Sequence, residues 1–148
     1  MSSPAVKRYH PNSLAREEVL KFLYKCEIDK VYYFSTPYFE SHARLFEFTE
    51  NLKSRVSVLA QGVLGHLHEL DEGISEACTN WSVKRMGVVD RAILRQGSFE
   101  LNYLGTPAGI VLDEAIELAK KYGSEHSSSF VNGILDKIAK GKKSVTTN

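Results

Sequence analysis

Apolar residues recur at helical spacing along most of the chain. The clearest case lies between residues 53 and 78, where each apolar side chain follows the previous one by three or four positions: Val56, Leu59, Val63, Leu67, Leu70, Ile74 and Ala77. One turn of an α-helix takes 3.6 residues, so these side chains share one face. The pattern predicts a continuous helix over this stretch, with its apolar stripe against a core.

The N-terminal part of the chain predicts two more helices. Asn12 or Ser13 can cap a first helix that continues to about Glu27, because a short polar side chain accepts hydrogen bonds from the first turn. Residues 28–36 are rich in β-branched and aromatic side chains, but the chain offers no second strand to pair with them. We therefore expect a connecting segment or short helix there, and a further helix after Pro37.

The C-terminal half predicts a central helix and two amphipathic helices. Residues 83–104 are apolar on more than one side, which is typical of a helix surrounded by others. The next helix ends near Gly123, and a final helix, capped by Ser124, ends at Gly141. The chain is therefore expected to be all-α, with six or seven helices.

The ends of the chain differ in character from the middle. Residues 1–11 predict a flexible basic arm, residues 12–141 a single helical domain, and residues 142–148 a loose polar tail. The net charge of the 148 residues is +1, but residues 1–25 and 136–148 carry +3 each, which leaves −5 for the middle. Basic ends can contact an anionic polymer while an acidic body meets a basic protein, although short lysine runs also serve solubility alone.

Composition and motifs argue against an enzyme. The chain is 43% apolar and 25% charged, which indicates a folded globular protein. Cys26 and Cys78 are isolated, and His66 and His68 are two residues apart, so neither pair has the spacing of a metal site. No phosphate-binding glycine loop or nucleophile motif is present. We expect a binding module without metal, cofactor or small-molecule substrate.

The location of the protein is predicted from the same features. No apolar run is long enough to cross a bilayer, and no secretory signal is visible at the N-terminus. Two unpaired cysteines are typical of a reducing compartment. We expect a cytoplasmic protein with no membrane partner.

Several motifs in order resemble the NusB family of transcription antitermination factors. The resemblance covers roughly residues 14–140 and is weakest over residues 28–55. It is carried by Ala15–Glu17, Leu23–Tyr24, Trp81 with Arg85, Asp90–Arg95, Phe99–Leu101, Asp113–Gly123 and Phe130–Asp136.

The resemblance implies a fold and a function beyond what composition indicates. It implies two small helical bundles packed together and no enzymatic activity. It implies a partner, the ribosomal small-subunit protein NusE, with which the family binds the boxA element of nascent RNA. The resulting complex helps RNA polymerase resist termination, notably on ribosomal RNA operons.

The same resemblance implies a set of RNA-binding residues. Arg16, at the start of the first helix, is expected at the surface as a phosphate ligand, and Tyr24 as a ring that stacks on an unpaired base. Phe130, near the start of the last helix, matches a family position near the RNA. His126, one turn earlier, often aligns with an acidic residue in relatives, and a histidine there could donate a hydrogen bond to RNA. The alternatives are a solvated charge for Arg16, a half-buried core tyrosine for Tyr24, a core position for Phe130 and a surface spectator for His126.

The basic residues before the first helix depart from the family pattern. Relatives typically carry an arginine-rich run there, whereas here only Arg16 keeps its place and Lys7 and Arg8 lie further upstream. Each lost phosphate contact weakens RNA binding and its salt dependence. We therefore expect weak RNA binding by this protein alone. Whether Lys142 and Lys143 contact RNA is open.

Four charged residues of the central helix have different expected roles. Asp90 and Arg91 resemble family positions near the NusE and RNA contacts. The alternative is that they are simply charged residues at the start of a helix. Arg95 and Glu100 are expected to be structural, because unpaired charge in a central helix is costly.

Two other functions share the resemblance. Some RNA cytosine methyltransferases carry a NusB-like RNA-binding domain, but a chain that ends at Asn148 is expected to leave no room for a methyl-donor domain. A helical protein-interaction module without RNA binding would bind NusE but never boxA RNA.

Overall fold

The computed structural model describes residues 11–79 and 82–146, with side chains described as far as residue 142. Within these residues there are seven α-helices and no strand, which confirms the predicted all-α class. The helices are α1 (Pro11–Asp29), α2 (Thr36–Leu45), α3 (Glu50–Gly65), α4 (Leu67–Ala77), α5 (Val88–Phe99), α6 (Ala108–Tyr122) and α7 (Ser127–Thr146). A 3₁₀ turn, Val83–Arg85, precedes α5, and a π-helical turn, Glu100–Leu104, follows it.

Helix α5 lies at the centre of the molecule, as its apolar composition predicts. It contacts five other helices, α1, α3, α4, α6 and α7. Ile93 and Leu94, in the middle of α5, are fully buried.

The predicted helix over residues 53–78 is broken at His66. Helix α3 ends at Gly65 and α4 begins at Leu67, with the His66 backbone outside the helical region. The His66 ring Nδ1 lies 2.7 Å from the Gly62 carbonyl oxygen, and the His66 backbone N–H donates to Val63 instead, at 3.2 Å. The Gly62 carbonyl oxygen therefore contacts the His66 side chain and does not accept the His66 backbone N–H, the bond that would continue the helix. The prediction of one continuous helix is wrong.

The apolar stripe on these two helices nevertheless faces the core throughout. Its buried members are Val56, Leu59, Val63, Leu70 and Ile74, and Leu67, next to the break, is half-buried. Only His66 lies between the two helices, and α3 and α4 both contact α5. The apolar stripe therefore meets the core on both sides of the break.

Gly62 permits the closest contact between α3 and α5. A Cβ atom at Gly62 would lie 1.9 Å from Cζ of the buried Phe99 ring, whereas a Cβ at Gly73, in the middle of α4, meets nothing within 4 Å. We expect Gly62→Ala to lower the free energy of unfolding by about 1–3 kcal/mol through overpacking. Gly73→Ala, the matched control, should raise it by up to about 1 kcal/mol, since alanine favours helix.

Urea unfolding followed by circular dichroism compares the two variants. Equal midpoints for Gly62→Ala and Gly73→Ala would show that the close approach of Phe99 is absent in solution.

The ends of the helical domain differ slightly from the sequence-based expectation. Helix α1 is described from Pro11, a residue that suits the first turn of a helix because the N–H it lacks has no partner there. α7 continues through Gly141 to Thr146, so the predicted tail from residue 142 is largely helical. Lys142 Nζ donates to the Leu101 carbonyl and ties this last part of α7 to the π-helical turn. Residues 30–35 connect α1 and α2, so the expected connecting segment is present but shorter than residues 28–36.

Candidate nucleic-acid interface

Arg16 is buried, although the sequence predicts it at the surface. Its guanidinium donates two hydrogen bonds to the Glu100 carboxylate, at 2.8 and 2.7 Å, and lies 3.5 Å from Glu114. The hydrogen bonds with Glu100 raise the pKa of Arg16 despite its burial. The prediction of an exposed Arg16 is wrong, because its place on α1 faces the π-helical turn and α6.

A network of backbone and side-chain contacts surrounds this ion pair. Gln96 donates to the Arg16 carbonyl at 3.0 Å, and the Thr106 hydroxyl donates to Glu100 at 3.3 Å. The network joins the start of α1 to α5 and to the segment before α6. Glu100 is thus structural, as predicted, and Arg16 shares that role.

Tyr24 lies on the outward face of α1, with 46% of its surface exposed. Lys21 is one helical turn before it and Glu17 two turns before it, so the three side chains lie along one face. An exposed ring of this kind can stack on an unpaired base. The same exposure also fits the alternative of a half-buried tyrosine at the edge of the core.

His126 and Phe130 lie one turn apart at the start of α7. The Phe130 backbone N–H donates to the His126 carbonyl oxygen at 3.1 Å, which holds His126 beside the first turn. His126 is exposed, whereas Phe130 is half-buried and packs against the core. The structure therefore leaves His126 accessible to a ligand and gives Phe130 a packing role as well.

The end of α6 is held against α1 by Glu17. The Glu17 carboxylate accepts hydrogen bonds from Lys121 Nζ, at 2.7 Å, and from the Tyr122 hydroxyl. Because α7 starts just after α6, this contact brings the α6–α7 turn to the side of α1 that carries Tyr24. The sequence-based candidates Tyr24 and His126 are thus presented by elements that are held together.

Arg91 and Arg95 belong to a network of ion pairs beneath a second surface. Arg91 donates to Glu27 at 2.7 and 2.9 Å and to the Met86 carbonyl at 2.9 Å. Arg95 donates to both carboxylate oxygens of Asp71, at 2.8 and 2.9 Å. Burial alone would lower the pKa of Arg95, but the pairing with Asp71 raises it. Arg95 is structural, as predicted, and Arg91 joins α5 to α1.

The second surface is a groove between α4 and the start of α5. It encloses about 840 Å³ and is bordered by exposed Glu72 and Glu76 on α4 and by Lys84 on the 3₁₀ turn. Asp90 lies in the first turn of α5, where a negative charge suits the helix dipole. The groove has the acidic border that the charge distribution predicts for the middle of the chain.

Some sequence-based expectations have no counterpart in the described residues. Lys7 and Arg8, together with Trp81, lie outside them, and so does the side chain of Lys143. Among residues 11–79 and 82–142, no group of three histidine, cysteine or acidic side chains is placed to hold a metal ion. No helix in the described part of the chain combines the length and apolar character that membrane spanning requires.

Comparison with known proteins identifies the family. Residues 13–140 match the sequence profile of the NusB family. This chain belongs to the NusB family. It is 42% identical over 140 residues to the transcription antitermination protein NusB of Elusimicrobium minutum, an alignment that covers 88% of this chain and 94% of the relative. The NusB of Anaeromyxobacter dehalogenans strain 2CP-1 is 40% identical over 131 residues, which cover 86% of this chain and 89% of the relative.

Solved NusB structures share the fold. NusB of T. maritima superposes with a TM-score of 0.78 at 34% identity, covering 88% of this chain and 92% of its own. A structure of the antitermination factors NusB and NusE in complex with double-stranded RNA matches with a TM-score of 0.77 at 27% identity, covering 88% of this chain and 97% of the other. The NusB family consists of antitermination factors and not of enzymes, so the predicted absence of catalysis is confirmed.

One feature of this NusB-family chain has no signal in its sequence. The contact of Glu17 with Lys121 and Tyr122 joins residues more than 100 positions apart, and no local pattern signals such a pairing. Only the spacing of Glu17 and Lys21, four positions apart on one helix, is visible in the sequence.

Proposed function

We propose that this protein pairs with NusE and binds the boxA element of nascent RNA, notably ribosomal RNA, so that RNA polymerase resists termination. The single observation that carries the proposal is the match to a solved NusB that is held in complex with both NusE and RNA. Because we propose that the protein acts on transcripts made in the cytoplasm, we propose a cytoplasmic location for it.

The RNA side of the proposal uses the face shared by α1 and the α6–α7 turn. Tyr24 is exposed on α1, His126 is exposed in the α6–α7 turn, and Phe130 lies one turn after His126. Lys7 and Arg8 remain candidates because they precede α1. Arg16 is no longer proposed as a phosphate ligand, since its guanidinium is occupied by Glu100.

The partner side of the proposal uses the groove between α4 and α5. The exposed Glu72 and Glu76 on its border suit a basic protein surface, because opposite charges orient and accelerate association. Asp90, half-buried in the first turn of α5, remains a candidate for the same partner. Arg91 supports the groove from beneath through its pairing with Glu27.

Charge reversal tests this partner surface. We expect Glu72→Lys combined with Glu76→Lys to weaken NusE binding by roughly tenfold or more, since like charges across an interface are repulsive. A pair of reversals on α6, Asp113→Lys with Glu117→Lys, changes the net charge equally at exposed positions away from the groove. Titration calorimetry with NusE measures both, and equal affinities would exclude the groove.

Transcription itself tests the proposed function. RNA polymerase is run through a terminator placed downstream of boxA, with NusE present and with this protein added or left out. We expect added protein to raise the fraction of read-through transcripts on a boxA template and to leave a scrambled-boxA template unchanged. Equal read-through with and without the protein, under conditions where a known NusB is active, would contradict the proposal.

A further inference from the structure

Helix α1 ends in a turn of fixed direction. The backbone of Lys30 is left-handed, with a φ of 57°, and the N–H groups of Lys30 and Val31 donate to the carbonyl oxygens of Glu27 and Cys26, at 3.2 and 2.8 Å. These two hydrogen bonds form a Schellman motif, which ends a helix and sets the path of the chain beyond it. Lysine seldom adopts this backbone conformation, so the packing of the turn, and not local preference, holds it there.

Two adjacent tyrosines follow this turn, and both face solvent. Tyr32 is 51% exposed and Tyr33 is 68% exposed. Val31 before them and Phe34 after them pack against the core, and the centre of the Phe34 ring lies 5.3 Å from that of Phe39. The chain is therefore held on both sides of the tyrosine pair, which keeps the two rings at the surface.

The two tyrosines differ in what they border. Tyr32 lines the groove between α4 and α5, whereas Tyr33 is not among the described residues that line it. The Tyr32 hydroxyl donates to one carboxylate oxygen of Glu27 at 3.4 Å, and the other oxygen accepts from Arg91 at 2.7 Å and from Arg95 at 3.3 Å. The carboxylate that joins α1 to α5 thus also positions the Tyr32 ring at the groove.

The rim of this groove carries more carboxylates than ammonium groups. The guanidinium groups at its base are already paired with carboxylates there. At the rim are the exposed Glu72 and Glu76 and a single exposed lysine, Lys84, and His68 Nε2 lies 3.0 Å from Glu72. A tyrosine ring and carboxylates on one groove suit an arginine or lysine side chain, because the cation can lie on the ring face while it pairs with a carboxylate.

We propose that Tyr32 is the aromatic anchor of the partner groove, and that its ring packs against a basic side chain of NusE that enters the groove. This inference rests on the proposed function, since it names a residue of the same partner surface. Tyrosine is typical of the few residues that carry most of the binding energy at an interface, because it buries a large ring at a low cost in entropy. Glu72 and Glu76 then orient the partner, while the Tyr32 ring holds it.

Tyr33 provides a matched control, because it is the same residue type at the next position, is more exposed and does not line the groove. Titration calorimetry with NusE compares the wild type, Tyr32→Ala, Tyr32→Phe and Tyr33→Ala at low and high salt. Thermal melting checks the fold of each protein.

We expect Tyr32→Ala to weaken NusE binding at least about fivefold, as the loss of an interface anchor does, and Tyr33→Ala to bind as the wild type. Tyr32→Phe should stay within about twofold of the wild type, because it keeps the ring and loses only the hydroxyl that contacts Glu27. Added salt should weaken the wild type and Tyr32→Ala by the same factor, since both keep the charges of the groove.

Three results would overturn the anchor and leave the pairing with NusE standing. They are wild-type affinity in Tyr32→Ala, equal losses in Tyr32→Ala and Tyr33→Ala, and a Tyr32→Ala affinity that no longer responds to salt. No NusE binding by the wild type would overturn both the anchor and the proposed function.

Discussion

Arg16→Ala is expected to lower the free energy of unfolding by about 3–5 kcal/mol, the cost of leaving one charge of a buried ion pair without its partner. In the variant, the Glu100 carboxylate stays buried, with 4% of its surface exposed, and loses both guanidinium hydrogen bonds. Glu114 loses its neighbouring charge as well. The start of α1 should then separate from α5 and α6 at lower denaturant concentration.

Two comparison variants isolate the ion pair as the cause. Arg44→Ala removes an exposed arginine from α2 and should change stability by less than about 0.5 kcal/mol. Arg16→Met combined with Glu100→Leu removes both charges and should recover much of the loss, since two apolar side chains of similar volume need no partner. Urea unfolding of the four proteins measures the differences. An Arg16→Ala variant as stable as Arg44→Ala would contradict a buried pair.

His42→Phe is expected to make the protein more stable and less sensitive to acid. His42 is 3% exposed, and neither ring nitrogen has a hydrogen-bond partner among the described residues. Its ring packs against Phe22, Phe46 and Phe48, at centroid distances of 5.1, 4.6 and 5.6 Å. A phenyl ring fits this aromatic environment and removes the unpartnered nitrogens, so the free energy of unfolding should rise by about 1–3 kcal/mol.

The pH dependence of the wild type follows from the same burial. Burial, with a smaller contribution from Lys25, lowers the pKa of His42 from 6.5 to about 4. Between pH 6.5 and pH 4, His42 is protonated in the unfolded chain but stays neutral in the folded chain. The contribution of His42 to stability is therefore complete above about pH 6.5 and is lost as the pH falls towards 4. The loss attributable to His42 is about 3 kcal/mol over this window.

Urea unfolding at a series of pH values measures this dependence. The His42→Phe curve should be flatter than the wild-type curve between pH 6.5 and 4. His126→Gln, at an exposed position, should run parallel to the wild type. Parallel wild-type and His42→Phe curves would show that His42 is not buried in its neutral form.

The helical class and the central position of α5 could be predicted from spacing alone. Burial on one face leaves a period of three and four in the sequence, and burial on all faces leaves a segment that is apolar throughout. The break at His66 could not be predicted this way, because the apolar stripe continues across it. What ends α3 is a contact between a side chain and a carbonyl, which has no periodic signature.

The exposure of single candidate residues follows the sequence less closely. Tyr24 belongs to a family motif and His126 stands where relatives often carry an acidic residue, and both are exposed, as contact with a ligand requires. Arg16 was placed wrongly at the surface, because its partner Glu100 lies 84 positions away and becomes a neighbour only when α1 packs beside α5. Charged residues that pair across such distances look the same in sequence as charged residues in solvent.

The most direct test of the central claim is a titration of fluorescently labelled boxA RNA with this protein, with NusE, and with the two together. We expect the mixture to bind boxA RNA at least about tenfold more tightly than either protein alone, a coupling of about 1.4 kcal/mol. We expect it to bind a scrambled RNA more weakly. If this protein binds NusE but their mixture does not bind boxA RNA, the protein is an interaction module only, and equal affinity for both RNAs would contradict recognition of boxA.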